Sequence, residues 1–301
     1  MSFLKRLFGM AGGESAPQAP TPPIPPSPPK RRTPTQPPLP AQMRTEFLDW
    51  FKAQRKPAVA LITDPDLPIE PKGSRLFGPA FLQTSEAWPV DGKGEPLSFL
   101  AQINCADCAA LEGYPSDGLI QFFIGRDDLY GALFKDLMRG DFVVRRIEAD
   151  AAGALHEDPQ KDQWDASGID DYSPAYGNAV RASGIALKPE AFSDQMDLSD
   201  HVASGRLYDL GKDYDVDPLY DELDEICMER RMGHHTGGFP AFVQADIREG
   251  GGYAEYDHVL LRLTSDDYLM WGDAGECVFM MPGADLATGD FSRVIYSWDC
   301  S

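Results

Sequence analysis

The sequence predicts an α+β fold in which one β-rich unit occurs twice and the two copies pack as a single pseudo-twofold domain. Three observations support this prediction: internal matches in a constant order, seven short apolar runs typical of strands, and only two clear helical patterns. The sheets are expected to be antiparallel or mixed. Hydrophobic residues make up 43% of the 301 residues, which is enough for one large core.

The internal matches lie at a sequence offset that falls slowly from 161 to 157 residues. They pair Pro79-Ala80-Phe81 with Pro240-Ala241-Phe242, Phe99–Ile103 with Val259–Leu263, and Asp128-Leu129 with Asp285-Leu286. Duplication followed by small changes in loop length would leave such a series. The two copies cover about residues 72–135 and 233–292, and any ligand site is expected between them.

The predicted elements are short strands and two helices. The strands are Ala58–Ile62, Leu97–Ile103, Leu119–Ile124, Phe142–Ile147, Val259–Leu263, Glu276–Met281 and Arg293–Ser297. Thr45–Arg55 predicts one helix, and Leu219–Met232 predicts another with Asp217 as its cap and Pro218 at its first position. Residues 149–178 predict a long polar loop.

The first 43 residues differ in composition from the rest. Residues 1–10 place Phe3, Leu4, Leu7 and Phe8 on one helical face beside two bases, which predicts weak contact with a membrane surface or a partner's groove, or else a frayed terminus. Residues 11–43 contain twelve prolines and predict a disordered Pro-rich arm. The folded body is expected to cover residues 44–301.

The charge of the body limits its partners. The whole chain carries −21, and residues 1–43 contain five bases and one acid, so residues 44–301 carry −25. A body of this charge repels nucleic-acid phosphates, which excludes nucleic acid and favours a protein partner, in particular a basic one. No run of 18 apolar residues occurs, and five scattered cysteines argue against a disulfide framework, which predicts a cytoplasmic protein.

Several motifs resemble those of the YwqG-like family. They are Trp88-Pro89, Pro96–Asn104, Asp127-Asp128-Leu129-Tyr130-Gly131, His234-x-x-Gly237-Gly238-x-Pro240, Trp271-Gly272-Asp273-x-Gly275 and Trp298-Asp299-Cys300-Ser301. The resemblance covers about residues 45–301. It implies a duplicated β-rich α+β fold in mainly bacterial cytoplasmic proteins, and it implies no activity, cofactor or catalytic residue. Phe77-Gly78-Pro79 departs from the expected Gly-Gly-x-Pro turn, and the Pro-rich arm is an addition to the family pattern.

Cys105-x-x-Cys108 follows a predicted strand and opens a predicted helix after Asn104. A thiolate at a helix N-terminus suits redox chemistry, and a cysteine pair can hold zinc if a second Cys or His pair is present. The surroundings lack the strand–helix–strand context of a thioredoxin-type pair, and the other cysteines are single. Buried structural thiols are the alternative interpretation.

His234, Asp273 and Asp299 are the candidate catalytic residues. His234 precedes Gly237-Gly238, Asp273 lies in a Gly-containing turn, and Asp299 follows Trp298. An imidazole and two carboxylates could act as general acid and base, whereas each could equally hold a turn through bonds to the backbone. No phosphate-binding, nucleophile-elbow or metal-ligand spacing occurs.

The predicted function is therefore a non-enzymatic, acidic, cytoplasmic module that binds a protein, with no cofactor. Some relatives lie near toxin and immunity systems, so the resemblance suggests an immunity-like role. The alternative is a small-molecule-binding or hydrolytic protein whose site between the copies uses His234, Asp273 and Asp299.

Overall fold

The computed structural model describes residues 36–164, 172–228 and 233–301. The predicted segment 1–10, with Phe3, Leu4, Leu7 and Phe8, lies outside the described residues, as do the Pro-rich stretch up to residue 35 and the last four residues of the predicted helix Leu219–Met232. From Gln36 onward the Pro-rich stretch is bonded to the body, because the Pro37 carbonyl accepts the Asp215 N–H at 2.8 Å.

The fold is mainly sheet with a few helices, which confirms the α+β class. The strands are β1 Arg55–Asp64, β2 Arg75–Leu76, β3 Ala80–Gln83, β4 Ser98–Asn104, β5 Leu119–Ile124, β6 Phe142–Ile147, β7 Gly153–His156, β8 Ile185–Gln195, β9 His235–Gly237, β10 His258–Thr264, β11 Glu276–Met281 and β12 Ile295–Asp299. The helices are α1 Ala41–Ala53, α2 Asn178–Ser183, α3 His201–Gly211, α4 Asp217–Met228 and α5 Gly283–Thr288.

Ten strands form one antiparallel sheet in the order β12-β11-β10-β9-β1-β8-β2-β4-β5-β6. The central pair, β1 with β8, is in register from Arg55 opposite Gln195 to Asp64 opposite Ala186. Leu100 in β4 and Leu260 in β10 interrupt the register of their strands. The strands β3 and β7, which are distant in the chain, form a separate two-stranded antiparallel pair.

The large sheet curls into a near-barrel, as the contacts between aromatic side chains from its two ends show. Phe279 of β11 stacks on Tyr296 of β12 at 4.5 Å between ring centroids and contacts Phe122 of β5 at 5.0 Å. Phe142 of β6, at the opposite end of the strand order, lies 5.5 Å from Tyr296. The space between the two halves of the sheet is therefore occupied by packed rings.

A second core joins three helices to one side of the sheet. Phe51 of α1, Leu207 of α3 and Leu223 of α4 are buried in it together with Phe239. Asp200 caps α3 by accepting the Val202 N–H at 2.9 Å. Helix α4 begins at Asp217 itself, so the prediction that Asp217 is the cap is wrong, and Asp215 accepts the Asp217 N–H instead.

The seven predicted strands are present, but β8 and α3 were not predicted. Pro189 and the exposed residues around it interrupt the apolar pattern from which β8 could be predicted. A proline is tolerated there because the Pro189 nitrogen, like the Leu187 N–H that donates to the Ser74 carbonyl, faces the side of β2 and not β1, and β2 pairs only with Ile185 and Ala186. The predicted loop 149–178 also contains β7 and the start of α2.

Replacing Gly205 with alanine is expected to stabilise the protein by about 1 kcal/mol. Gly205 lies inside α3, is exposed, and has no atom within 4 Å of the position that a Cβ would take. Alanine loses less backbone entropy than glycine on entering a helix. Urea denaturation followed by circular dichroism measures the change, and a lower midpoint for Gly205→Ala would contradict the expectation.

Candidate functional site

The ends of the large sheet meet at a seam between β12 and the segment that precedes β6. The Tyr296 N–H donates to the Leu137 carbonyl at 3.1 Å, and the Tyr296 hydroxyl donates to the Tyr130 carbonyl at 3.2 Å. The Trp298 indole N–H donates to the Leu129 carbonyl at 2.8 Å. Three hydrogen bonds from one strand therefore hold the loop that carries Leu129.

The loop at the seam is held in shape by the Asp127-to-Gly131 motif. The Asp127 carboxylate accepts the N–H groups of Leu129 at 3.0 Å and Gly131 at 2.8 Å. Tyr130 and Gly131 both have positive φ, and a Cβ on Gly131 would lie 2.2 Å from the Asp141 carbonyl oxygen. Only glycine fits at 131, so the motif is a backbone requirement of this turn.

The opposite wall of the seam is fixed by Asp299. Its carboxylate accepts the N–H groups of Val243 at 3.2 Å and Gln244 at 2.8 Å. The Gln244 side-chain amide donates to the Cys300 carbonyl at 2.8 Å. The end of β12 thus holds the segment that contains Gln244 through side-chain to backbone bonds.

Between these walls lies a concavity of about 370 Å³, here called the seam groove. It is lined by Leu129, Phe134, Gln244, Ala245, Ile247, Ser297, Trp298, Asp299 and Cys300. Phe134 is 51% exposed and Leu129 42% exposed. The Trp298 ring contacts Phe134 at 6.0 Å and Tyr130 at 5.1 Å between centroids, so the exposed apolar surface continues into the core.

The structure does not bring His234, Asp273 and Asp299 together through their side chains. The His234 Nδ1 accepts the Thr264 N–H at 3.2 Å, and its Nε2 lies 3.1 Å from the Asp266 carboxylate. Both ring nitrogens are engaged, which leaves no lone pair to accept a proton from a substrate. Within the described part of the chain, none of the three side chains is bonded to another of them.

Each of the three side chains has a local environment of its own. The Asp266 carboxyl beside His234 is partly desolvated, but the bonds from His234 and from the Tyr268 and Leu269 amides outweigh that effect and lower its pKa. Asp273 is exposed in a turn between two residues of positive φ, Gly272 and Ala274. Asp299 is the one of the three that lines the seam groove.

The family model for the domain of unknown function DUF1963 matches residues 74–300. The chain belongs to the DUF1963 family. The resemblance to YwqG-like proteins is consistent with that family. No curated protein matches the chain.

The Gly237-Gly238 motif of this DUF1963 domain has a structural explanation. Both glycines have positive φ, and a Cβ on Gly238 would lie 2.6 Å from an oxygen of the buried Asp194 carboxylate. In Phe77-Gly78-Pro79, Phe77 and Gly78 also have positive φ, although Phe77 carries a buried side chain. Counted from the proline, these two positions lie one residue nearer to it than Gly237 and Gly238 do to Pro240, so the two turns differ in backbone geometry.

The Cys105 and Cys108 pair of the DUF1963 domain lies in a 3₁₀ turn, whose first N–H groups include one bonded to the Asn104 side chain. Burial raises the pKa of the Cys105 thiol to about 11 and that of Cys108 to about 12. Both thiols are protonated near neutral pH, which is the state of structural cysteines. Among the described residues, no group of three or more His, Cys, Asp or Glu side chains could hold a metal ion.

Two buried ionic clusters escaped the sequence prediction. Arg262 pairs with Glu276 and lies beside His235, while Arg248 bonds to both Asp200 and Asp246. No residue spacing in the sequence predicts either cluster, because the partners come from different elements. None of the helices in the described ranges is long and apolar enough to cross a membrane.

Proposed function

We propose that this DUF1963 domain is a non-enzymatic module that binds a basic segment of a partner protein in the seam groove. The observation that carries the proposal is the aromatic lining of this groove, in which the exposed Phe134 ring lies beside the half-buried Trp298 ring. Monomeric proteins seldom expose apolar surface in a concavity unless it receives a ligand or partner. The Asp299 and Gln244 side chains that frame this groove are already hydrogen-bonded within the chain, so an apolar side chain is the natural partner for its side-chain surface.

The charge distribution supports a basic partner. Asp127 and Asp128 stand next to Leu129 in the sequence, Asp299 lines the groove, and Lys135 is the one base adjoining Phe134 along the chain. The −25 charge of residues 44–301 adds a long-range attraction for cations. Such a field raises the association rate and falls with salt.

The proposal places the protein in the cytoplasm, where an immunity-like role would make the partner a protein toxin. The support for the compartment is that Cys105, Cys108 and Cys277 are buried free thiols. The support for the immunity-like role is the family resemblance. The residues before Gln36 act in this proposal as an arm that precedes the binding body.

We also propose that the body is a duplicated unit with a pseudo-twofold axis between β1 and β8. Four strands follow on each side of that pair, and the long strands β4, β5 and β6 occupy the places of β10, β11 and β12. The register breaks at Leu100 and Leu260 are separated by 160 residues, the offset of the sequence match. These correspondences support a groove formed between the end of the first copy and the end of the second.

A titration with designed peptides tests the binding function. The probe is a fluorescein-labelled 12-residue peptide with one central phenylalanine flanked by lysines, and matched peptides carry serine for phenylalanine or glutamate for lysine. We expect binding of the first peptide alone, measured by anisotropy, with at least tenfold weaker affinity for Phe134→Ser because a central aromatic contact is lost. Raising the salt concentration from 50 to 300 mM should also weaken the binding of this peptide to the unchanged protein.

Tyr208→Ser is the matched control for that titration. Tyr208 is 70% exposed on α3, away from the groove lining, so its loss should change the affinity less than twofold. Absence of binding by the basic aromatic peptide at millimolar concentration would contradict the proposed function. Equal affinity of Phe134→Ser and the unchanged protein would contradict the groove as its site.

A further inference from the structure

Strand β12 is one end of the ten-stranded sheet, and part of its outer edge has no backbone partner within residues 36–164, 172–228 and 233–301. Its inner edge pairs with β11 from Ile295 opposite Met280 to Asp299 opposite Glu276, without a register break. On the outer edge, the Tyr296 N–H is bonded to the Leu137 carbonyl. The outer edge is therefore paired at Tyr296. Whether it is paired further along the strand depends on the backbone N–H and C=O of Trp298.

The alternation of an antiparallel ladder determines where the Trp298 backbone points. In such a strand, the N–H and C=O of every second residue face the same neighbour. Because the Tyr296 N–H faces the seam, the N–H and C=O of Trp298 also face it, while those of Ser297 face β11. No partner for either Trp298 group lies among the described residues, so this edge can accept another strand.

The seam groove surrounds this open edge. Alternate side chains of β12 point to opposite faces of the sheet, with Tyr296 in the barrel core and Ile295 in the core on the outer face. Trp298 shares its side with Leu129 and Phe134, while Ser297 and Asp299 share theirs with Ala245 and Ile247. An extended segment laid along β12 would find apolar contacts on both of its faces.

The other end strand of the sheet, β6, is less suited to pairing with another chain. Arg145 and Arg146 of β6 form ion pairs with Glu86, Asp117 and Glu148, and charged side chains on an end strand oppose the addition of another chain. The described part of β12 carries a single charged side chain, Asp299, which is occupied by the Val243 and Gln244 amides. Of the two end strands, β12 is therefore the one that can accept another strand.

We infer that the partner segment binds as an additional β-strand on the outer edge of β12, antiparallel to it, with one residue exchanging both backbone hydrogen bonds with Trp298. The inference rests on the proposed function and specifies its mode: a basic, extended segment with an apolar side chain directed at Phe134 and Trp298. Backbone bonds provide affinity for an extended chain, and the apolar wall selects the side chain. Lysine or arginine at the flanking positions meets the acidic surroundings of Asp127 and Asp299.

Backbone N-methylation of the bound peptide tests this inference. In the 12-residue lysine-flanked phenylalanine peptide, each central residue is N-methylated in turn, which removes one N–H donor without changing side chains. We expect methylation of the residue opposite Trp298 to weaken binding at least tenfold and methylation of the other central residues to change it less than twofold, because the Leu137 carbonyl already occupies the edge at Tyr296 and the Gln244 side chain is bonded to the Cys300 carbonyl. A flat profile would overturn strand addition.

Amide hydrogen exchange of the full chain supplies a second readout. In the free protein the Trp298 amide should exchange at least tenfold faster than the Ser297 amide, and saturating peptide should slow the Trp298 amide at least tenfold. Protection of Trp298 in the free protein that rises with protein concentration would overturn the proposal in favour of a second copy of the chain. Protection independent of concentration would show that the edge is not open.

The outcomes separate the inference from the proposed function. Peptide binding that depends on Phe134 but is indifferent to N-methylation would overturn strand addition and leave the binding function standing. Absence of peptide binding would overturn both. Loss of binding on methylation of the residue opposite Trp298, together with slowed exchange at Trp298, would support both.

Discussion

Replacing Arg248 with methionine is expected to lower the free energy of unfolding by about 3–5 kcal/mol. The Arg248 guanidinium donates to Asp246 from Nε at 2.9 Å and to Asp200 from Nη2 at 2.7 Å. All three side chains are almost fully buried, and the two carboxylates outweigh desolvation and raise the pKa of Arg248. Methionine fills a similar volume but leaves two carboxylates buried without the guanidinium that bonds to both of them.

The position of this cluster in the fold explains why the loss is large. The Asp246 carboxylate also accepts the His201 N–H at 2.9 Å, and Asp200 accepts the Val202 N–H. The cluster therefore joins the first turn of α3 to the segment that contains Arg248. Urea denaturation, followed by circular dichroism and by tryptophan fluorescence, measures the change and tests whether α3 unfolds with the sheet.

A rescue and a surface control make the Arg248 prediction specific. Adding Asp200→Asn to Arg248→Met should recover part of the loss, because the amide oxygen still accepts the Val202 N–H but carries no charge. Arg44 pairs with Glu222 at a largely exposed site, so Arg44→Met should cost less than about 1 kcal/mol. A loss below that value for Arg248→Met, or a further loss on adding Asp200→Asn, would contradict the role given to the cluster.

Replacing Gly131 with alanine is expected to destabilise the protein by about 3 kcal/mol or more and to weaken peptide binding in the seam groove. A left-handed φ of 78° costs an L-residue about 1–2 kcal/mol. The Cβ would in addition lie 2.2 Å from the Asp141 carbonyl oxygen and 2.5 Å from the Gly125 nitrogen, so the backbone must move. Movement of this turn displaces Leu129, which forms one wall of the groove.

Gly94→Ala is the matched control for backbone conformation without crowding. Gly94 has φ of 89°, and no atom lies within 4 Å of its Cβ position. Its replacement should cost only the conformational part, about 1–2 kcal/mol, and should leave peptide affinity unchanged. Equal losses in the free energy of unfolding for the two variants would show that crowding of the Cβ at position 131 causes no destabilisation, which would contradict the prediction.

The elements that the sequence predicts well are those whose local pattern agrees with their environment. The runs Leu119–Ile124, Phe142–Ile147 and Glu276–Met281 are strands with the predicted bounds. The first and the last are buried along their whole length, as mostly apolar runs of this length in a sheet are. Strand β8 escapes prediction since half of its residues are exposed and Pro189 lies within it. Its position beside the very short β2 makes that composition acceptable, and position in a sheet is a tertiary property.

The candidate site shows the same division between local and distant information. Asp127, Gly131 and Asp299 belong to motifs that are visible in the sequence. Asp127 and Gly131 shape their own turn, whereas Asp299 holds the backbone of Val243 and Gln244, which are distant in the chain. The groove needs Leu129 and Phe134 from before β6 together with Trp298 from the last strand. No periodicity joins these positions, because only the curl of the sheet makes them neighbours.

By itself, the sequence determined the α+β class, most strands, the acidic charge of the body and the family to which the chain belongs. These depend on residue type and short-range order, which a linear pattern records. The tertiary structure alone decided that the sheet is antiparallel and nearly closed, that its interior is filled with aromatic rings, and that the His234 ring is fully engaged. It also placed the open edge of β12 in an apolar groove, since hydrogen-bond direction and burial are set by neighbours distant in the chain.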